Sequence, residues 1–184
     1  ACDPRVLDAM LPWFTEQPGN AASRSHSWGY AARTATEGAR GQLARRLNAS
    51  PKEVVFTSGA TEANNLAVLG VLRANRHRGN HFVTVATEHK AVLDAAVQAE
   101  REGFEVTILP SQADGTVDVD ALEAALTERT LLVSVMWANN EVGALQPLAS
   151  IVDVCHARGV AVHTDAAQAL STCALDVRAV PVDL

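Results

Sequence analysis

The sequence predicts an α/β fold, a mostly parallel sheet flanked by helices, and three observations carry that prediction. Five short runs rich in Val, Ile and Thr alternate with segments of helical periodicity: EVVFTS (53–58), HFVTVA (81–86), FEVTIL (104–109), TLLVSVMW (130–137) and VAVHT (160–164). Each run is too uniformly apolar for a half-exposed strand, so helices are expected on both faces of the sheet. The chain is 184 residues long, 48% hydrophobic and 20% charged. That balance is globular, and the length suffices for one core or for part of a larger domain.

The elements follow in order. Residues 3–17 read as an amphipathic helix, because Val6, Leu7, Met10, Leu11 and Phe14 recur at helical spacing. PGNAASRSHS (18–27) is small and polar, hence a loop. Residues 30–47 are helical again and stop at NASP. Beyond it the five strands alternate with helices over 60–76, 91–102, 119–126 and 148–157. In GVAVHTDAAQAL (159–170) the last strand runs straight into a helix, with Asp165 at the junction. No internal repeat or low-complexity linker interrupts the pattern. The expected division is a helical arm over about 1–50 and a sheet-and-helix core over about 51–184.

Charge and cysteine usage narrow the function. A net charge of −6 argues against a nucleic-acid partner, which wants a basic face. Arg24, Arg33, Arg40, Arg45 and Arg46 cluster, but Glu37 interrupts them, and the run reads as a solvated helix face. The three cysteines, Cys2, Cys155 and Cys173, are far apart and show no metal spacing such as C-x-x-C. A reduced, cytoplasmic setting is the simplest expectation, with no metal, no signal peptide and no membrane span.

In parallel sheets, ligands bind beyond the carboxyl ends of the strands. The residues after each strand should therefore converge on one rim. In FTSGATEANN (56–65), Gly59 makes a turn and a helix begins near Ala60, where bare N–H groups and the Thr61 hydroxyl suit a phosphate. An ordinary strand-to-helix turn capped by Ser58 or Thr61 fits the same residues. In ATEHKAVLDA (86–95), His89 starts a helix, either as a ring that stacks on a planar ligand and moves protons or as a capping residue. In MWANNEVGALQP (136–147), two side-chain amides follow a strand, either as ligand contacts or as an Asn-rich turn. Asp165 is a carboxylate at the end of an apolar strand, with Gln168 three residues on. It is either an N-cap or the partner of a protonated pyridine nitrogen. Together the four segments supply a phosphate cradle, a stacking ring, a ring-oxygen donor and a nitrogen partner.

VVFTSGATEANNLAVLG, TEHKAVLDA, EREGFEVTILP, NNEVGALQPL and HTDAAQA, with GNAASRSH near the start, resemble the cysteine desulfurases of the class V aminotransferase group. The style of TEHK and NNEVG is closer to the iron–sulfur-assembly and nitrogen-fixation branch than to the branch with EHHAN motifs. The resemblance covers essentially the whole chain. It implies the large cofactor-binding domain of the fold-type I scaffold, incomplete here, and pyridoxal 5'-phosphate as cofactor. It implies L-cysteine as substrate, with L-alanine and an enzyme persulfide as products. A homodimer is implied, and a sulfur-acceptor protein is a further candidate partner. Carried over position by position, Ala60 and Thr61 would hold the phosphate, and His89 would stack on the ring and help proton transfer. Asn140 would contact the ring oxygen and the substrate carboxylate, Asp165 the ring nitrogen, and Gln168 the ring oxygen.

The sequence also departs from that family. Its Schiff-base lysine normally lies in a Ser-x-His-Lys run some twenty residues or more beyond the Asp165 motif, and the only lysines here are Lys52 and Lys90, at other positions. The persulfide cysteine normally lies nearer the C-terminus, and Cys155 and Cys173 read as inert small apolar residues. The family's opening strand is missing as well. The expectation is a desulfurase segment cut at both ends, holding most non-covalent cofactor contacts and unable to turn over cysteine by itself. Two other readings stay open, a selenocysteine lyase or other class V relative, and a non-catalytic paralogue that binds or dimerises. A nicotinamide-binding domain is disfavoured, since no glycine fingerprint follows any strand.

Overall fold

The computed structural model describes residues 2–184. Its contacts divide into two compact units, one running to Val55 and the other Phe56–Leu184. The first unit holds two helices and a short 3-10 turn. Helix α1 (Pro4–Thr15) is capped by Asp3, whose side chain accepts from the Arg5 N–H, and carries no buried residue. Helix α2 (Ser27–Leu47) starts earlier than its periodicity suggests, because a His26 ring nitrogen accepts from the Gly29 N–H and caps it. It ends on Asn48 in the left-handed conformation (φ 56°), a common stop for a helix. Lys52 lies on the 3-10 turn Pro51–Glu53.

The second unit is the expected α/β layer structure. After helix α3 (Ala60–Ala74) come β1 (His81–Val85), α4 (Lys90–Arg101), β2 (Glu105–Leu109), α5 (Val119–Ala125), β3 (Thr130–Ser134), α6 (Leu148–Ala157) and β4 (Ala161–His163). The strands form one parallel sheet in the order β2-β1-β3-β4. Alternate strand residues face opposite sides, so two cores form. On one face Val83, Val85, Val133, Val135 and Val162 pack with Leu122, Ile151, Val152 and Cys155 from α5 and α6. On the other, Phe82 and Leu132 pack with Val68, Leu72, Val92, Ala95 and Ala99 from α3 and α4. The register brings Thr84 beside Ser134 and Ser134 beside His163. The carboxyl ends of β1, β3 and β4 are therefore level.

Three expectations need correction. EVVFTS forms no strand. Its backbone is extended at Val54 (φ −93°, ψ 121°) but joins no ladder of the sheet, leaving Val55 67% and Phe56 46% exposed. Apolar β-branched residues suit a strand, but the ladder itself requires a neighbour. Strand β2 is not buried on both faces. It lies at the sheet edge with Glu105 exposed and Ile108 48% exposed. Finally, no helix follows Asp165. Its Oδ1 accepts from the Ala167 N–H at 3.0 Å, an Asx turn, and a series of turns follows, in which Leu170 N bonds to the Ala166 carbonyl and Cys173 N to that of Ala169. Among the described residues no helix is long and apolar enough to cross a membrane.

Candidate active site

The site is built where three strands end level. Strand order around β1 reverses, since the chain steps from β1 out to β2 and then back across to β3. The crevice between the exits of β1 and β3 is a topological switch point, the usual ligand position in such sheets. The exits of β1, β3 and β4 and the start of α3 together line a cavity of about 190 Å³. Its walls are Ala60, His89, Met136, Ala138, Asn140, Asp165, Ala167 and Gln168. Five of the six residues singled out in the sequence are thus brought together. The sixth, Thr61, is exposed on the same first helical turn but outside the lining.

Gly59 is the N-cap of α3, and no side chain caps the helix, so its first-turn N–H groups keep their donor capacity. No atom lies within 4 Å of where a Cβ on Gly59 would sit, so the approach to that turn is open. Neither Ser58 nor Thr61 is the cap. The Ser58 N–H and hydroxyl both donate to Glu62 Oε2 at 2.6 Å. The Glu62 carboxyl is held below the usual range by those two bonds, the hydroxyl first.

His89 is both of the things its sequence position allowed. Its Nδ1 accepts from the Ala91 N–H at 3.1 Å and caps α4, while the ring lines the cavity. That bond assigns the proton of the neutral ring to Nε2. The two asparagines divide the work. Asn139 is buried, with Oδ1 accepting from the N–H groups of Glu141 (2.8 Å) and Val142 (2.9 Å) and Nδ2 donating to the Thr87 carbonyl (3.0 Å). It shapes the turn and leaves Asn140 exposed in the cavity wall.

Asp165 is half-buried and held at both oxygens. Oδ2 accepts from Asn64 Nδ2 at 2.7 Å, and Oδ1 from Ala167 N. Asn64 is buried on α3, one turn beyond Ala60. Sequence reasoning missed it. The i, i+4 spacing from Ala60 was a signal for the shared face, but its partner is 101 residues away. Also missed was Glu88, beside His89 and only 6% exposed. Its Oε1 accepts from the Met136 N–H at 2.6 Å, and its Oε2 is buried with no partner. Burial, opposed by the Met136 bond and reinforced by the charge of Asp165, pushes this carboxyl up to about 8. Below Asp165, His163 is buried with Nδ1 2.8 Å from the Ser134 hydroxyl, and burial pushes its ring down to about 4.

A second hollow of about 420 Å³ adjoins the first, sharing His89 and Asn140 and including Lys90. Lys90 Nζ is paired with Asp94 at 2.7 Å, one helical turn on. Cys155 is buried in the core, and desolvation pushes its thiol up to about 12, far from a reactive thiolate.

The level carboxyl edge thus gathers an anchored carboxylate, a ring, two amides and an uncapped helix start around one cavity. The aminotransferase class-V family model matches residues 1–184, and the chain belongs to that family. It is 50% identical over 182 residues to the cysteine desulfurase IscS of Neisseria meningitidis serogroup A, covering 99% of this chain and 45% of that protein. Identity to the cysteine desulfurase IscS of Ehrlichia chaffeensis is also 50%, over 99% of this chain and 44% of that one. A solved structure described as SspA in complex with cysteine superposes with a TM-score of 0.94 at 35% identity, over 98% of this chain and 52% of that one. The chain spans about half the length of the relatives it matches.

Proposed function

We propose that these residues form the cofactor-holding part of a pyridoxal-phosphate-dependent cysteine desulfurase, which converts L-cysteine to L-alanine and passes the sulfur to an acceptor thiol. The observation that carries the reading is Asp165, a carboxylate fixed by Asn64 and Ala167 in the wall of a cavity shared with His89, Asn140 and Gln168. The donor set fits the cofactor. Each Asp165 oxygen accepts one bond and retains capacity for a further donor, as a protonated pyridine nitrogen requires. The uncapped start of α3 fits a phosphate.

When bound, pyridoxal phosphate supplies the electron sink for the substrate's carbon skeleton. The residues of this chain would hold and orient it. Ala60 and Thr61 would offer N–H groups, and Thr61 its hydroxyl, to the phosphate. Asp165 would keep the pyridine nitrogen protonated, and Gln168 would donate to the ring oxygen. Asn140 would contact the ring oxygen and the substrate carboxylate. His89, held by its cap bond to Ala91, would stack on the ring and help move a proton at Nε2. We assign the covalent lysine and the persulfide cysteine to parts of the polypeptide beyond these residues, because the resemblance places both further along the chain, Lys90 is paired with Asp94 and the Cys155 thiol is buried in the core. A cytoplasmic homodimer that delivers sulfur to iron–sulfur assembly or thiolation completes the proposal.

The test is the full-length native polypeptide incubated with L-cysteine and a thiol. Stoichiometric L-alanine with a bound-cofactor absorbance band is expected, and both are lost in Asp165→Ala. No alanine from a cofactor-loaded parent, or an Asp165→Ala variant as active as the parent, sinks the reading.

A further inference from the structure

We propose that Glu88 is a positioning residue of this site, a neutral carboxylic acid that ties the exit of β1 to the exit of β3 and leaves Asp165 as the site's one negative charge. The tie is the 2.6 Å bond from the Met136 N–H to Glu88 Oε1. It joins the segments that follow two neighbouring strands, one carrying His89 and the other Met136, Ala138 and Asn140. Glu88 lines the adjoining hollow and stays out of the wall of the first cavity, so toward that cavity it acts through what it holds.

Neutrality follows from the surroundings. Glu88 is 94% buried by its 6% exposure, has one donor for two oxygens, and faces a second carboxylate. An ionised carboxylate with an unpartnered buried oxygen costs far more than a neutral one. Two carboxylates in one site do not both ionise readily, and the proton goes to the one with fewer donors and deeper burial. Asp165 has a donor on each oxygen and is only half-buried, so the proton belongs to Glu88. The charge acting on Glu88 is that of Asp165, after β4; its one donor is the Met136 N–H, just past β3; and it shares the second hollow with His89, Glu141 and Lys90, the last paired with Asp94. His163 lies beneath Asp165, and its ring is neutral throughout the range where Glu88 titrates. The upward displacement of the Glu88 carboxyl to about 8 agrees with this. One negative charge then meets one cation, the protonated ring nitrogen, a consequence that rests on the function proposed above.

The protonation itself is tested without the cofactor. In the full-length protein stripped of pyridoxal phosphate, the melting temperature of the parent is compared with that of Glu88→Gln from pH 5 to 9. A carboxyl held neutral by folding binds more protons folded than unfolded, so the parent should fall by several degrees relative to the variant between pH 5 and 8 and then run parallel to it. Curves parallel throughout overturn the proposal. A carboxylic-acid C=O band in the infrared spectrum at pH 7, lost above about pH 8 and missing from Glu88→Gln, is the second readout. Its absence from the parent overturns the proposal even where the variant does not fold. For positioning, Glu88→Gln should bind pyridoxal phosphate within about threefold of the parent and Glu88→Ala at least about tenfold more weakly, because only alanine strands the Met136 N–H. Equal losses in both, or none in alanine, overturn the positioning role. Failure of the cofactor to bind the parent itself would count against the proposed function and leave the melting and infrared results to judge Glu88.

Discussion

Two neutral donors hold Asp165, the Asn64 amide at 2.7 Å and the Ala167 N–H at 3.0 Å. The motif HTDAAQA placed the carboxylate at the strand end and Gln168 near it, and both do line the cavity. The motif did not show Asn64, because a contact across 101 residues is set by the packing of α3 on the sheet and leaves no trace in local spacing. Removing the amide should free the carboxylate to rotate. Asn64→Ala is expected to weaken pyridoxal phosphate binding about tenfold to a hundredfold, the usual worth of a hydrogen bond to a charged group, in an absorbance titration of the full-length protein. Retained affinity would show that Ala167 alone fixes Asp165. His163 gives a pH prediction at the same scale. Its ring takes a proton near 6.5 when free and near 4 when folded, so the unfolded chain binds more protons between those values. Stability is whole above about pH 6.5 and declines as pH falls through 4, by up to about 3 kcal/mol from this group. In His163→Asn that part of the acid decline should vanish. Matching acid melting curves for parent and variant would refute the assignment.

Sequence periodicity located most elements to within a few residues, since β1, β3 and β4 lie under the apolar runs and α6 matches its forecast span of 148–157. What periodicity could not supply was neighbours. EVVFTS has strand chemistry without a ladder, and FEVTIL is an edge strand because among the described residues it pairs with β1 alone. After Asp165 a series of turns stands where a helix was expected, although the bond from the Ala167 N–H to the aspartate is the same i to i+2 bond that starts α1, α4 and α5, so local capping chemistry does not distinguish the two outcomes. The contrast between edge and centre predicts unequal sensitivity. Leu132 on β3 is fully buried against α3 and α4, and Leu132→Ala should cost about 2–5 kcal/mol. Ile108→Thr on β2, 48% exposed, should cost under about 1 kcal/mol. Urea melts of the two variants measure the difference, and equal losses would mean that β2 is covered in the native protein.

At the scale of the sheet, function and stability separate by direction. All four strands are parallel, so one edge collects every carboxyl end and the opposite edge every amino end. The carboxyl edge carries exposed polar groups with spare hydrogen-bonding capacity, of which Gln168 is one. The amino edge is closed by pairs that satisfy one another. Arg129 meets Glu105 in a two-pronged ion pair at 2.7 and 2.8 Å, and the buried His81 ring lies between Thr130 and Thr107. Substitutions of similar exposure at the two edges should therefore have opposite signatures. Gln168→Ala removes an amide that bears no fold contact, so it should leave the melting temperature within about 1 °C, a surface-substitution effect, and weaken pyridoxal phosphate binding severalfold. Arg129→Ala breaks an exposed pair worth at most about 1 kcal/mol, so it should lower the melting temperature slightly and leave the binding curve unmoved. Measuring both quantities on both variants tests the polarity of the whole sheet. A change in cofactor affinity on Arg129→Ala, or its constancy on Gln168→Ala, would place the ligand away from the carboxyl edge and undo the assignment of the cavity.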